Sequence, residues 1–335
     1  MKIPELREKL SGLSKKELVY LAVEFYKLIP KAKREMYQLD AMTEAPDPAS
    51  KPPKLQGSTD SIADMEHKIK EFIKHAESGY YIRYNTVVSR KARKAWRSTL
   101  KSWYKALTST NRPEADLDRQ SELLIQLYFL LHRGTRIKTF TSAEPFEAIN
   151  VVQTKFYRSV LDLLEQAAGK SDVINRGIPL LLHSSDGKVQ ATHLIDEFLL
   201  LISIPDLYEQ SIEKIQSLLA GLYEENSKAS SLTKMRSDYQ SNYNNKVNAL
   251  AELGLIVYLR LGEHTNALNF FDRHYIHPNT EVKLYMLIYY LFREGKPELI
   301  RNTIEAAKNN NIKPRKSLLD LDQYIAINNT LPESF

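Results

Sequence analysis

Residues 89–107 read SRKARKAWRSTLKSWYKAL, and helical geometry sorts them into two faces. On a helical wheel Ala92, Trp96, Thr99, Leu100, Trp103 and Leu107 fall within an arc of roughly 120°. Arg90, Lys91, Arg93, Lys94, Arg97, Lys101 and Lys105 fill the opposite side. The spacing predicts a helix packed on a core through both tryptophans of the chain, with its cations in solvent. No acid lies between Glu77 and Glu114, a gap that holds nine cations; the whole chain nets +6, so everything else sums to −3. The basic excess is therefore local.

The same periodicity extends in both directions. Upstream, Ile62, Met65, Ile69, Phe72 and Ile73 predict a helix from Ile62 to His75, closed by Gly79. Residues 43–61, TEAPDPASKPPKLQGSTDS, read as a linker, because Pro46, Pro48, Pro52 and Pro53 block both helix and sheet ladders. Before it, residues 3–39 read as a helix pair. Ser14 and Glu17 form a capping-box pattern, Leu18, Leu21, Ala22, Phe25 and Leu28 recur at helical spacing, and Pro30 ends the run. Downstream, Leu123, Leu124, Leu127, Tyr128 and Leu131 mark a helix stopped by Gly134. Another is expected over 145–168, with Pro145 in its first turn and Gly169 at its end. Gly169, Gly177, Pro179 and Gly187 punctuate a domain junction over 171–190. Helices are expected at about 191–203 and 205–226, then a polar stretch over 226–245, then helix pairs to about Ile327. The fold class is all-α: a helical domain over 1–170, the junction, and a helix-pair, solenoid-like domain over 191–330.

Composition agrees. Only 11 of 335 residues are glycine, as helix-rich chains favour. Cysteine is absent, which removes disulfide-linked partners, thiolate metal sites and cysteine nucleophiles, and fits a reducing cytoplasm. The longest apolar run, Phe198 to Ile204, falls far short of the ~18 residues a membrane span needs, so no membrane partner is expected. Charges interrupt every apolar run near the N-terminus, which reads against a signal peptide there.

Two segments repeat at an offset of 33: YLRLGE from Tyr258 to Glu263, and LFREGK from Leu291 to Lys296. Each lies between two apolar helices, and Pro278 and Pro314 close the pairs. Residues 246–316 resemble tetratricopeptide and pentatricopeptide repeats, through Tyr258, Gly262, Ala267, Phe271 and Pro278 in the first unit and Gly295 and Pro314 in the second. Ile300 departs from the small residue that the pattern wants. The resemblance implies stacked helix pairs that bind a protein partner on a concave face. Two or three units argue against a base-reading code. LREKLSGLSKKELVYLAVEFYKLIPKAKREMY, with the basic segment and FTSAEPFEAINVVQTKFYRSVLDLLEQA, resembles a bacterial family known only as a helical domain of unknown function, over residues 5–168. The proline-rich insert departs from it, and no site residue transfers.

Chemistry-bearing patterns are sparse. His193 and Glu197 sit four apart with Asp196 nearby, which reads as a surface pair on an amphipathic helix, with half a metal site as the alternative. His274 and His277 flank Tyr275 at a turn, without a third ligand in sequence. There is no phosphate loop, nucleophile elbow or zinc-protease helix, so neither cofactor nor metal is expected. Three functional readings stand. The first is a non-catalytic interaction or adaptor module, binding through the helix pairs around Tyr258, Arg260, Tyr289 and Arg293 and through the basic helix. The second is a nucleic-acid-binding protein in which Arg90, Arg93, Lys94, Arg97, Lys101 and Lys105 neutralise phosphates and Tyr80, Tyr81, Tyr84 and Tyr104 stack on bases. The third is an enzyme with an unrecognised helical site.

Overall fold

The computed structural model describes residues 9–29, 61–82, 89–109, 116–184, 191–230 and 237–335. The chain divides into two compact units, Met1–Ser61 and Ile62–Phe335. Among the described residues every regular element is helical. The expected linker at 43–61 lies, except for Ser61, outside the described residues.

In the first unit α1 spans Lys15–Leu28. Its capping box is present: the Ser14 N–H donates to Glu17 Oε2 at 2.8 Å, and the Glu17 N–H donates to Ser14 Oγ at 3.4 Å. None of its residues is buried. The stripe expected to face a core, including Leu18, Phe25 and Leu28, is exposed.

The second unit begins with α2 (Ile62–Glu77), which buries Ile62, Met65, Ile69, Phe72 and Ala76 as its periodicity requires. It stops because Gly79 takes a left-handed conformation (φ +75°). The N–H groups of Gly79 and Tyr80 then turn back to the carbonyls of Ala76 and His75. The basic helix α3 (Arg90–Leu107) and α4 (Leu117–Arg136) follow. The helix expected over 145–168 is broken in two. A short α5 (Pro145–Ala148) is separated from α6 (Gln153–Ala168) by Asn150 at φ +58°.

The junction expected at 171–190 is, over its described residues, buried helix. α7 (Lys170–Asp172) passes through a π turn (Val173–Gly177) into α8 (Ile178–Ser184). Val173, Ile174, Ile178 and Leu181 are buried. Pro179 lacks the N–H that an α-helix would donate to residue 175, and a π turn is where a helix tolerates that loss. The buried Tyr157 hydroxyl donates to the Gly177 carbonyl at 3.0 Å. Glycine and proline thus mark a wide turn inside the core, and Ile62–Phe335 is one compact unit across that point.

Among the described residues seven helices follow: α9 (Ala191–Leu199), α10 (Pro205–Ser230), α11 (Ser237–Arg260), α12 (His264–His274), α13 (Thr280–Arg293), α14 (Pro297–Asn309) and α15 (Lys316–Asn328). The turns at Gly262 and Gly295 share one hydrogen-bond pattern. Gly262 and Glu263 donate to Leu259 and Tyr258 at 3.2 and 3.0 Å, and Gly295 and Lys296 to Phe292 and Leu291 at 3.1 and 3.0 Å. The two turns are tied together, since Arg260 donates to both oxygens of Glu294 at 3.1 and 3.2 Å. At the other end of the pairs Arg315 clasps Glu281 in the same two-point way.

α11 and α12 approach closely around a glycine inside a helix, Gly254. A Cβ there would lie 2.2 Å from Phe270 Cε1. Alanine is the better helix former by about 1 kcal/mol, yet Gly254→Ala is expected to destabilise the protein by about 1–3 kcal/mol through overpacking. The urea midpoint reads this out; an unchanged or higher midpoint would show that Phe270 has room to swing away.

Candidate functional site

The α3 helix is held by its apolar face. Trp96, Leu100 and Leu107 are buried, and the Trp96 indole stacks on Phe140 at 4.3 Å. Its Nε1–H donates to Thr141 Oγ1 at 3.1 Å. Trp103 is half-buried and meets Phe72 edge-on at 5.2 Å. Tyr104 adds to this face: it is buried, lies 4.8 Å from Phe156, and hydrogen-bonds Ser159 through its hydroxyl at 2.8 Å.

The opposite face carries Lys94, Arg97 and Lys105 exposed, with Arg93 and Lys101 half-buried. Arg93, Arg97, Lys101 and Lys105 are each one helical turn plus a fraction apart, so they form a row rising about 6 Å per step. Arg97 also lies 5.6 Å from the Trp96 ring centroid. The Arg90 side chain is outside the described residues. Among the described residues no carboxylate pairs with Lys94, Arg97, Lys101 or Lys105. Several arginines elsewhere are engaged: Arg133 meets Glu77 at 2.7 Å, Arg158 meets Asp162 at 2.7 Å, and Arg176 meets Glu122 at 2.6 Å. The helix also has no acid in its first turn, where the macrodipole favours one. Like charges at four-residue spacing destabilise a helix by roughly 0.2–0.5 kcal/mol per pair. The row is thus unfavourable for the isolated helix and is tolerated because the aromatic face anchors it.

Of the stacking tyrosines expected beside this row, the three described ones are engaged within the protein. Tyr81 and Tyr104 are buried, Tyr80 stacks on His75 at 5.0 Å, and Tyr84 lies outside the described residues. Base stacking by Tyr81 or Tyr104 is excluded by their burial in the aromatic core.

The C-terminal residues expected to meet a partner have intramolecular roles. Arg260 is paired with Glu294, as described. Arg293 donates to Asp196 and lies 5.7 Å from the Tyr289 ring. The Tyr258 hydroxyl accepts from Gln216 at 3.3 Å, and its ring lies 5.5 Å from Phe270. Tyr289 is half-buried on a cavity wall. The histidines do not converge. His193 is exposed, and Glu197 faces Arg158 at 3.8 Å. His274 pairs with the Tyr223 hydroxyl at 2.6 Å, and His277 accepts from the Asn279 N–H at 3.0 Å.

One group stands out that local pattern did not single out. Glu252 is buried in α11. Burial raises its carboxyl to about 7, against the hydrogen bond from Tyr290 and the charge of Arg293, which both lower it. The Tyr290 hydroxyl also hydrogen-bonds Thr192 at 3.1 Å, so α9, α11 and α13 meet at this point. Burial likewise raises Tyr290 and Tyr275 above the ordinary phenol range.

No family model, curated protein or solved structure matches the chain.

Proposed function

We propose that this protein is a non-catalytic binding scaffold that docks on a nucleic-acid phosphate backbone through the basic row of α3. The observation that carries this reading is the lack of carboxylate partners for Lys94, Arg97, Lys101 and Lys105 among the described residues, where Arg133, Arg158 and Arg176 each meet a carboxylate. On this anchored helix Lys94, Arg97, Lys101 and Lys105 would neutralise phosphates without first breaking an internal ion pair. Burial of Tyr81 and Tyr104 takes two of the four tyrosines out of base stacking, and binding through the row itself is expected to be electrostatic and indifferent to sequence.

Salt dependence tests the reading. If Arg93, Lys94, Arg97, Lys101 and Lys105 each neutralise one phosphate of duplex DNA, log K falls against log salt with a slope of about −4.5. Replacing Lys94, Arg97 and Lys105 by Gln should flatten the slope by about 2.7 and leave the urea midpoint in place. Failure to bind at low salt, or an unchanged slope in the triple variant, removes α3 as the docking element.

A second reading, an adaptor that takes a protein partner on solenoid-like helix pairs, is favoured by a groove of about 540 Å³ between α12, α13 and α14, walled by Phe271, Leu284, Leu287 and Ala307. A partner that survives high salt and is unaffected by the α3 substitutions would favour this second reading over the first.

A further inference from the structure

A cavity of about 400 Å³ opens between α11, α13 and the first residues of α9. Its walls follow from helical spacing. Asn245, Asn248, Ala249 and Glu252 lie on one face of α11, and Tyr285, Met286 and Tyr289 lie on one face of α13. Asn245 is exposed at the mouth, while Thr192, Tyr275 and Glu252 are buried deep within. Asn248 stiffens this wall, because its side chain both donates to and accepts from the Ile276 backbone, at 3.0 and 2.6 Å.

Three tyrosine rings and one buried carboxyl make an unusual lining. Two of these rings already receive guanidinium groups: Arg315 sits 4.2 Å from the Tyr285 centroid and Arg293 sits 5.7 Å from that of Tyr289. Neither arginine brings uncompensated charge, since Arg315 is held by Glu281 and Arg293 by Asp196. Glu252 is the acid on the cavity lining, and its hydrogen-bond donor is a neutral phenol, Tyr290. Among the described residues no three metal-ligating side chains converge, and a lone carboxyl among aromatic faces suits an organic cation better than a divalent ion.

We infer that this cavity is a binding site for an alkylammonium group, with Glu252 as its counter-ion and the Tyr275, Tyr285 and Tyr289 rings enclosing the alkyl and ammonium surface. An ammonium placed there replaces the proton of Glu252, which leaves to solvent. The groups around that carboxyl are Tyr290 and Arg293 from α13, Tyr275 from the segment after α12, Thr192 from α9, and Asp196 beyond Arg293. Both tyrosines stay neutral through pH 8, because burial raises them, and Arg293 stays charged. Glu252 is therefore the group at this site that titrates between pH 5 and 8.

Calorimetry on the full chain with n-butylammonium chloride tests this. At pH 6, two buffers of different ionisation enthalpy should report release of about 0.9 proton per ligand, and at pH 8 about 0.1. The apparent Kd should tighten about tenfold from pH 6 to pH 8. Glu252→Gln should abolish both the proton release and the pH dependence, and weaken binding at pH 8 by roughly tenfold or more. Tyr289→Ala should weaken binding severalfold while keeping the proton release. N-acetyl-lysine methylamide serves as a second probe: tighter binding than n-butylammonium identifies a lysine side chain of a partner as the source, and weaker binding identifies a free amine. Absence of binding at both pH values, binding with no proton release from the wild-type protein, or unaltered binding by Glu252→Gln would each overturn the proposal. The proton count needs no variant, so a poorly folding substitution does not blunt the test.

Discussion

Trp96→Ala is expected to lower the stability of the Ile62–Phe335 unit by about 3–5 kcal/mol, the range for emptying a buried indole site. The indole is fully buried, stacks on Phe140 and donates to Thr141, so truncation removes apolar burial, an aromatic pair and a hydrogen bond together. Phe140 also touches Tyr81 at 5.9 Å and Phe72 at 6.3 Å, which spreads the cavity into the α2 contacts and leaves little scope for local collapse. Trp96→Phe should recover most of the loss, falling short by about 1 kcal/mol for the hydrogen bond to Thr141. Trp103→Ala should cost less than Trp96→Ala because Trp103 is half-buried. Urea midpoints rank the three variants. Acrylamide quenching supplies an independent check, since Trp96 should resist it in the native state while Trp103 responds. An exposed, quenchable Trp96 would undo the picture of α3 as a helix anchored through its aromatic face. The consequence for binding is specific: Trp96→Ala should weaken the grip on phosphate by loosening the row, whereas Arg97→Gln should weaken it without a change in midpoint.

The residues behind these expectations were legible in the sequence to different depths, for physical reasons. Periodicity is a local signal, and it located Trp96, Leu100 and Leu107 on the buried side of α3 and Ile62, Met65, Ile69 and Phe72 on that of α2. It left Tyr104 outside the arc, among the tyrosines expected to stack on bases, whereas the Tyr104 ring packs near Phe156 and its hydroxyl meets Ser159. The repeated YLRLGE and LFREGK segments pointed to two turns that do share their hydrogen bonding, because a left-handed glycine after a helix is a backbone requirement confined to a few residues. Gly177 and Pro179 misled, since the residues that break helices in loops also permit a π turn in a core. The partners of Arg260 and Arg293 were beyond local reading altogether. Glu294 and Asp196 lie 34 and 97 residues away in the chain, so only folding could show that these arginines are engaged internally. Glu252 was hidden differently: within NALAELGLIVYL it looks like one polar residue on an amphipathic helix, but α11 is surrounded and has no solvent face at that point.

That burial sets the second large effect, a pH-dependent one. The carboxyl of Glu252 is raised from 4.5 to about 7 in the folded protein, so between those values the native state holds a proton that the unfolded chain has released. Stability from this group is therefore fully present below about pH 4.5, declines as pH rises, and is gone above about pH 7. The span corresponds to about 3 kcal/mol. Glutamine keeps the shape and the acceptor for Tyr290 but cannot ionise. Its second N–H adds a donor with no assigned partner, so its absolute stability at low pH depends on how that donor is accommodated. The difference between the two proteins across pH is free of that constant. Relative to wild type, Glu252→Gln should gain about 3 kcal/mol on going from pH 4.5 to pH 8, with the change centred between pH 5 and 7. Urea midpoints taken along a pH series measure it, and the titrations of all other groups cancel in the comparison. Parallel curves for the two proteins would mean that the carboxyl is ionised in the folded state across the whole range, or else reaches water. A gap that closes with rising pH would mean that an unrecognised cation holds the carboxylate. If alkylammonium occupies the cavity, saturating n-butylammonium should remove the wild-type decline above pH 5 and leave the pH dependence of the Glu252→Gln curve unchanged, which joins the stability experiment to the binding one through a single side chain.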